Sequence, residues 1–408
     1  PPTGYHGEQA RLVVDVDAAR LPELAGLPPV RWLEFVSPEP GLDGERETQI
    51  MAENLDAAGA PNTAPVTGYQ GWLGGLGLNG AGVTIAICDT GVDQNANNNA
   101  TGHADIRGRQ VAFVDYTGGT AAGDGNGHGT HVAGIALGNA STGLVEAPAP
   151  NNFLWGQGMA PQAGLVAQNA LLMAPWPPAN FGLLTQDAVT NGAQVINNSW
   201  TDLSGAGAGY TANARVFDQL VRDPNQGTAA LDYLVIVFSA GNSGSNPRTI
   251  TGPKEAKNPI IVGNSLTFRP GFGAPVDDIR GVAASSSRGP AIDGRLLPTV
   301  VAPGTNVSSA LSSQCAVPPG ANTVCAVPAI AGTGNAYVFA SGTSMASPHV
   351  AGACALLIQW WRVRTGGRDP SPALLKALLI NGAEDLAGGP DGAGGNLANI
   401  PNNDQGWG

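Results

Sequence analysis

The sequence lacks any cluster of basic residues and any long apolar run. Lysine occurs only three times in 408 residues, and the formal net charge is −12. Nucleic acids attract clustered lysine and arginine, so this composition argues against a nucleic-acid partner. A membrane-spanning helix needs about 18 or more consecutive apolar residues, and the sequence has no such run. We therefore expect neither a nucleic-acid partner nor a membrane partner.

Cysteine is also scarce, with four residues. Cys315 and Cys325 flank a loop rich in proline, glycine and asparagine, and a disulfide could close that spacing. Cys88 and Cys354 lie in apolar segments, which favours buried free thiols. A loop disulfide would favour an oxidising compartment. Since the sequence begins at Pro1 without an initiator methionine, we expect a secreted protein whose signal has been removed.

What the sequence has is a pattern of short apolar segments. Glycine and proline are abundant, yet 42% of the residues are hydrophobic, which is enough for a buried core. Continuous apolar runs predict strands of a parallel sheet covered on both faces, at 83–88, 194–197, 233–238, 259–262 and 299–301. Helices are predicted at 128–137, 344–363 and 371–380, the last with Ser371 as N-cap. This alternation predicts an α/β fold with three layers and a doubly wound, mainly parallel sheet.

The N-terminal residues predict a separate small unit. Residues 11–36 have the pattern of a β-α-β unit, which is too small to be stable alone and must dock on another surface. The polar residues 37–48 predict a linker. We therefore divide the chain into an N-terminal extension and linker at 1–48 and a larger domain at 49–408.

Two motifs place ionisable side chains at the ends of predicted elements. Asp89 follows the strand at 83–88, and ligands of open α/β sheets bind beyond the carboxyl ends of strands. By itself an aspartate before a turn is more often a turn-former. His128 follows a glycine-rich loop and begins a predicted helix, and histidine can take and return a proton near neutral pH. A metal pair with His131 is the alternative, but the usual four-residue spacing and intervening glutamate are missing.

Two further motifs complete a candidate site. Ser344 begins the helix at 344–363, where a serine is often only a cap. The same position suits a nucleophile, because the helix dipole favours negative charge there. Asn242 follows the strand at 233–238, and its amide could donate to an oxyanion together with the Ser344 backbone N–H. Alone, Asn242 would be read as a turn-former.

Together these motifs make the chain resemble the subtilase family of serine proteases, whose triad has the same order of Asp, His and Ser. The resemblance spans about residues 68–408. It implies that Ser344 is the nucleophile, His128 the general base and then acid, Asp89 its orienting partner and Asn242 the oxyanion donor. The motifs that carry it are Asp89-Thr-Gly, His128-Gly-Thr-His-Val-Ala-Gly, Ala240-Gly-Asn242, Val301-Ala-Pro-Gly and Gly342-Thr-Ser344-Met-Ala-Ser-Pro.

Finer resemblances concern the two ends of the chain. Asn197-Asn-Ser-Trp200 and Gln405-Gly-Trp-Gly408 are similar to motifs of subtilases that carry a C-terminal β-sandwich domain. Residues 11–36 are similar to the second half of a subtilase propeptide. The resemblance thus implies a propeptide remnant or a retained extension before the catalytic domain.

The resemblance also implies how substrate binds. In the family two segments flank the substrate as edge strands, and here they supply Ser199, Trp200, Thr201, Ala240 and Gly241. Small residues beside Trp200 favour an open, apolar-lined cleft, and no carboxylate cluster indicates basic specificity. We therefore expect a monomer that cuts protein or peptide substrates broadly, with a preference for apolar or aromatic residues before the cut.

Cofactors and rival functions remain as expectations. The chemistry requires no cofactor, although kinship implies structural Ca²⁺; the oxygen-rich residues 115–124 and 277–278 do not spell a calcium loop. Within the family, the alternatives are a protease dedicated to processing one peptide and a transpeptidase. An inactive subtilase used as a binding module would usually lose a triad residue, and none is lost here.

Overall fold

The chain divides into two compact units, Pro1–Pro40 and Gly41–Gly408. The smaller unit, with the β-α-β unit predicted at 11–36, lies outside the described residues. The computed structural model describes residues 45–56, 60–61, 68–93, 102–118, 123–145, 153–229, 232–269, 278–315 and 323–408.

The end of the predicted linker is a helix of the larger unit. Helix α1, Glu45–Met51, has its first five residues buried. Residues 45–48 were expected to be linker because they are polar. These polar side chains are instead buried in the larger unit, where Glu47 lies 2.6 Å from Arg269.

Seven parallel strands form the central sheet of the described chain. Their bounds are Thr84–Asp89 (β1), Gln110–Asp115 (β2), Gly164–Asn169 (β3), Val195–Asn198 (β4), Val235–Ser239 (β5), Ile260–Ser265 (β6) and Val300–Pro303 (β7). The order across the sheet is β2-β3-β1-β4-β5-β6-β7, and every neighbouring pair is parallel. The predicted doubly wound, mainly parallel sheet is confirmed.

Helices cover both faces of this sheet. After α1 they are Gly68–Leu76 (α2), His128–Leu137 (α3), Gly182–Thr190 (α4), Ala212–Leu220 (α5), Thr343–Thr365 (α6) and Pro372–Asn381 (α7). The start of α7 is as predicted, because the Ser371 hydroxyl accepts the N–H of Leu374 at 3.2 Å.

Strand β1 shows why the sheet is apolar on both faces. Ile85 and Ile87 join the core that contains α3 and α6, whereas Ala86 and Cys88 join the core that contains α4 and α5. Successive side chains of a strand point to opposite faces, so an uninterrupted apolar strand contributes to both cores. Each fully buried isoleucine contributes about 1.5–3 kcal/mol of hydrophobic stabilisation. The result is the predicted three-layer architecture.

A small antiparallel hairpin leads into α6. Its strands are Val307–Ala310 (β8) and Tyr337–Ala340 (β9). The connection between them contains a 3₁₀ turn at Val324–Ala326 and the disulfide between Cys315 and Cys325. Cys88 and Cys354 are free and fully buried. Among the residues described, no helix combines the length and the apolar character needed to span a membrane.

Candidate active site

Asp89 is the last residue of β1, in the middle of the sheet. The chain reverses its winding at this strand, because β3 pairs with one edge of β1 and β4 with the other. Such a switch point opens a crevice beyond the carboxyl ends of the strands. The Asp89 side chain is fully buried in this position, and its Oδ1 accepts the N–H of Thr90 at 2.8 Å.

His128 is the first residue of α3 and reaches Asp89. Its Nδ1 lies 2.7 Å from Asp89 Oδ1, and its side chain is 22% exposed. A carboxylate can only accept, so Nδ1 carries the proton and Nε2 is left as an acceptor. Burial lowers the pKa of His128, but the charge and hydrogen bond of Asp89 and the charge of Asp124 together raise it above the ordinary 6.5. The pair can therefore take a proton at Nε2.

Asp124 holds together the backbone around both residues. Burial raises its pKa to about 6, against hydrogen bonds that lower it. A carboxylate at the start of a helix compensates the unpaired N–H groups there. Its two oxygens accept the N–H groups of Asn126, Gly127 and Thr130 and the hydroxyls of Thr90 and Thr130, at 2.7–3.2 Å.

Ser344 is the second residue of α6 and is half-buried. Its hydroxyl donates to the Ser199 carbonyl at 3.3 Å, and the Ser199 hydroxyl donates to the Ser344 carbonyl at 3.0 Å. Pro348 explains the second bond: it has no N–H to give to the carbonyl four residues earlier, and Ser199 replaces that donor. Because Ser199 directly follows β4, these bonds place the serine at the same sheet edge as Asp89.

Asn242 follows β5 and has a fixed amide orientation. Its Oδ1 accepts both the N–H and the hydroxyl of Thr343, each at 2.9 Å. Because a backbone N–H can only donate, the oxygen must face Thr343, and Nδ2 is left to donate elsewhere. The Thr343 hydroxyl in turn accepts the N–H of Gly241 at 3.1 Å. Gly342 has φ +146°, and a Cβ there would lie 3.1 Å from Nδ2, so glycine keeps the amide accessible.

The residues expected to contact substrate follow β4 and β5, which are paired strands. Ser199 and Thr201 lie on one segment, and Ala240 and Gly241 on the other, next to Asn242. Gly241 has φ +111°, and a Cβ there would lie only 2.6 Å from Thr251 Oγ1. A larger residue is therefore incompatible with this wall.

Trp200 differs from the expectation. Its ring is only 6% exposed and packs in the core, 5.6 Å from the ring of Phe181 and 5.1 Å from that of Phe238. The sequence suggested that it lines an open cleft, but its large apolar surface is buried against other aromatic rings. Its ring therefore belongs to the core and does not line an open cleft.

The described side chains considered as metal ligands make other contacts. His131 is fully buried, its Nε2 lies 3.1 Å from the Val338 carbonyl, and burial lowers its pKa to about 3. In the oxygen-rich segment at 115–124, Asp124 accepts the hydrogen bonds described above, and Asp115 accepts the N–H and hydroxyl of Thr117. Asp277 lies outside the described residues. Over the described part of the chain, no group of three or more His, Cys, Asp or Glu side chains is placed to hold a metal ion.

Sequence reasoning missed Thr90, Asp124 and Thr343 as parts of the site. Thr90 and Thr343 are adjacent to Asp89 and Ser344, and Asp124 begins the loop that ends at His128. Their position within the motifs was a usable signal. Their hydrogen-bond partners could not be predicted, since each of the three contacts residues far away along the chain.

Comparison with known proteins agrees with this geometry. Residues 80–408 match the model of the subtilase family. The chain is 31% identical over 314 residues to Serine protease AprX of Bacillus subtilis (strain 168), an alignment that covers 76% of this chain and 63% of that protein. It is also 31% identical over 286 residues to Subtilisin DY of Bacillus licheniformis, covering 69% and 78%.

A solved structure supports the same relationship. The "S41 Psychrophilic Protease" matches with a TM-score of 0.52 and 26% identity, over 81% of this chain and 91% of that one. The chain thus spans 63% of the length of AprX, which is less than two thirds, and 78% of the length of Subtilisin DY.

Proposed function

Because the chain belongs to the subtilase family, we propose that it is a serine endopeptidase in which Asp89, His128 and Ser344 form the catalytic triad. The observation that carries the proposal is the 2.7 Å bond between His128 Nδ1 and Asp89 Oδ1 at the switch point of the sheet. It leaves Nε2 as the proton acceptor. The Ser344 hydroxyl would leave the Ser199 carbonyl and donate to Nε2, a contact that often tightens only when substrate binds.

In the proposed reaction Ser344 Oγ attacks the carbonyl carbon of the scissile bond as His128 removes its proton. The negative charge that develops on the carbonyl oxygen is stabilised by Asn242 Nδ2 and by the N–H of Ser344 at the start of α6. His128 then gives its proton to the leaving amine. Water releases the acyl group by the reverse sequence, with Asp89 stabilising the imidazolium throughout.

The substrate preference is part of the proposal. An extended peptide can pair with the segments at 199–201 and 240–241 by main-chain hydrogen bonds. Asp202, beside them, is 4% exposed, and its oxygens accept the N–H of Ser204 and the amide of Asn213. With that carboxylate occupied, we favour an apolar or aromatic side chain before the cut over a basic one.

Compartment and assembly follow from two further observations. The disulfide between Cys315 and Cys325 supports secretion into an oxidising compartment. One chain supplies all four catalytic groups, which supports action as a monomer. The proposed chemistry uses side chains and water, without a cofactor.

A fluorophosphonate probe tests the nucleophile. We expect it to label the wild-type chain on Ser344 and not to label Ser344→Ala, whose kcat should fall by about 10⁶-fold, as when the subtilisin nucleophile is removed. Ser341→Ala is the matched control, because this exposed serine lies three positions earlier and should leave labelling unchanged. Equal labelling of Ser344→Ala and wild type would refute the assignment. Mass spectrometry of casein digests would give the residue preference.

A further inference from the structure

The disulfide loop between β8 and β9 packs against the loop that carries His128. The N–H of Cys325 donates to the Asn126 carbonyl at 3.1 Å. A Cβ on Gly127 would lie 2.9 Å from Cys325 Sγ and 3.4 Å from Val324 Cβ, so the half-cystine lies directly against the backbone that precedes His128. The contact falls at the first turn of α3.

The residue before Cys315, the other half-cystine, contacts the beginning of the same loop. Gln314, next to Cys315, accepts the N–H of Asp124 through its Oε1 at 3.0 Å. A Cβ on Gly123 would lie 2.3 Å from that oxygen, so the amide is in close contact with the loop backbone. The residues beside the two cysteines therefore clamp residues 123–127 from both ends.

The same segment also reaches the loop that follows Asp89. The Ser313 hydroxyl donates to Asp93 Oδ1 at 2.8 Å, and the N–H of Asp93 donates to the Thr130 hydroxyl at 2.9 Å. Asp93 is 4% exposed and lies four residues after Asp89. Residues 313–315 and 324–325, joined by one covalent bond, thus contact both loops of the Asp–His pair.

The loop before His128 needs such external support. It contains Gly123, Gly125 and Gly127, which lose more conformational entropy on ordering than other residues. Gly127 has φ +84° and supplies no side-chain cap to α3. Since a shift of about 1 Å in a catalytic group can cost about a hundredfold in rate, the position of this backbone bears on turnover.

We propose that the Cys315–Cys325 disulfide is a redox-sensitive positioning element for His128, so that its reduction slows catalysis without unfolding the chain. The inference rests on the proposed triad. An external dithiol would supply the electrons: its thiolate attacks one sulfur, a mixed disulfide forms, and its second thiol closes to a cyclic disulfide, leaving both cysteines as thiols. Both half-cystines are partly exposed and hence open to this attack.

The test is reversible reduction of the wild-type protein with dithiothreitol under native conditions. Cys88 and Cys354 are fully buried, so thiol titration of the folded protein should report only the new thiols of the opened bond. We expect kcat/KM on a peptide anilide to fall about tenfold to a hundredfold, mostly in kcat. The acid limb of the pH profile should move toward that of an ordinary histidine, and reoxidation should restore both.

The double variant Cys315→Ser/Cys325→Ser should have the activity of the reduced enzyme and no response to dithiothreitol. Cys354→Ala is the matched control and should respond as wild type does. The proposal is overturned if the thiols fail to appear, or if reduction and the double variant lower only the melting temperature while kcat and the pH profile stay unchanged. Failure of the proposed function would look different, because the oxidised wild type would then not react with a fluorophosphonate.

Discussion

At the scale of single residues, the pKa of His128 decides at which pH the site can work. Burial favours the neutral ring, while Asp89 and Asp124 favour the charged ring more strongly, so the pKa is raised from 6.5. The carboxylates stabilise the imidazolium that forms during the reaction. They also keep the resting base protonated at a higher pH than a free histidine would be.

This predicts the acid limb of the pH–rate profile. A protonated imidazole cannot accept the Ser344 proton, so kcat/KM should fall about tenfold per pH unit below the His128 pKa, starting above pH 6.5. Initial rates on a neutral peptide anilide between about pH 5 and 9 measure it. A flat profile, or a limb well below the value of an ordinary histidine, would contradict the role of His128.

At Pro348, a tertiary contact replaces the hydrogen bond that the helix loses. A proline inside a helix removes one N–H and disfavours a regular helix around it. Helix α6 nevertheless continues through it, from Thr343 to Thr365. The Ser344 carbonyl that loses its helical donor receives the Ser199 hydroxyl instead. The hydrogen bond that compensates for the proline therefore links Ser344 to Ser199, in the segment after β4.

At the scale of elements, the site depends on how the start of α3 is attached to the end of β1. The N-cap residue is Gly127, which has no side chain to cap the helix. Asp124, three residues before Gly127, accepts the N–H groups at the helix start instead. It also accepts the Thr90 hydroxyl at 2.9 Å, and this bond joins the helix to the strand.

Asp124→Asn should therefore weaken both the helix start and the site. An amide keeps one acceptor oxygen and points N–H groups at the donors that the second oxygen served. We expect a loss of about 1–3 kcal/mol in stability and a fall of about tenfold to a hundredfold in kcat/KM. The acid limb should move to lower pH, because one negative charge near His128 is removed.

The matched control for this change is Asp115→Asn. Asp115 ends the edge strand β2, and its Oδ1 accepts the N–H and the hydroxyl of Thr117. It should keep wild-type kinetics. If Asp124→Asn keeps the wild-type pH profile as well, Asp124 does not act on His128.

At the scale of the whole molecule, buried charge joins the first described helix to the sheet. Glu47 in α1 and Arg269 after β6 are both fully buried, 2.6 Å apart and separated by 222 residues. Arg269 also donates to the Asn306 carbonyl at 3.2 Å. A polar helix is thus held in the interior by a charge pair from a distant part of the chain.

Removing one member of this pair should be costly. We expect Glu47→Ala to lose about 3–5 kcal/mol of unfolding free energy, because it removes a negative charge that compensates the buried charge of Arg269. The double change with Arg269→Met should lose less than the sum of the two single changes. Denaturation in the Ser344→Ala background measures this without self-digestion.

An exposed pair provides the comparison. Asp278 and Arg280 lie 3.6 Å apart with side chains 37% and 61% exposed. Asp278→Ala should cost less than about 1 kcal/mol. Equal losses for Glu47→Ala and Asp278→Ala would show that burial does not control the contribution of the first pair.

The amino-acid sequence was enough to predict five strands of the described sheet and the order of the site motifs. Uninterrupted apolar runs predicted β1, β4, β5, β6 and β7 to within a few residues, because strands buried on both faces tolerate few polar positions. Strand β2 was missed because it is a partly exposed edge strand, and β3 because it ends in polar Gln168 and Asn169. Asp89, His128, Asn242 and Ser344 were found because each stands where an element ends or begins.

How those residues are held depends on contacts between segments that are far apart in the chain. The amide of Asn242 is oriented by Thr343, 101 residues away, and the loop before His128 is clamped by Gln314 and Cys325. The Trp200 ring lies in the core because packing against four aromatic rings buries it more completely than the cleft would. A local pattern records which face of an element is apolar and where that element stops. It does not record which distant donor will meet a given acceptor, and that pairing orients the groups proposed to react.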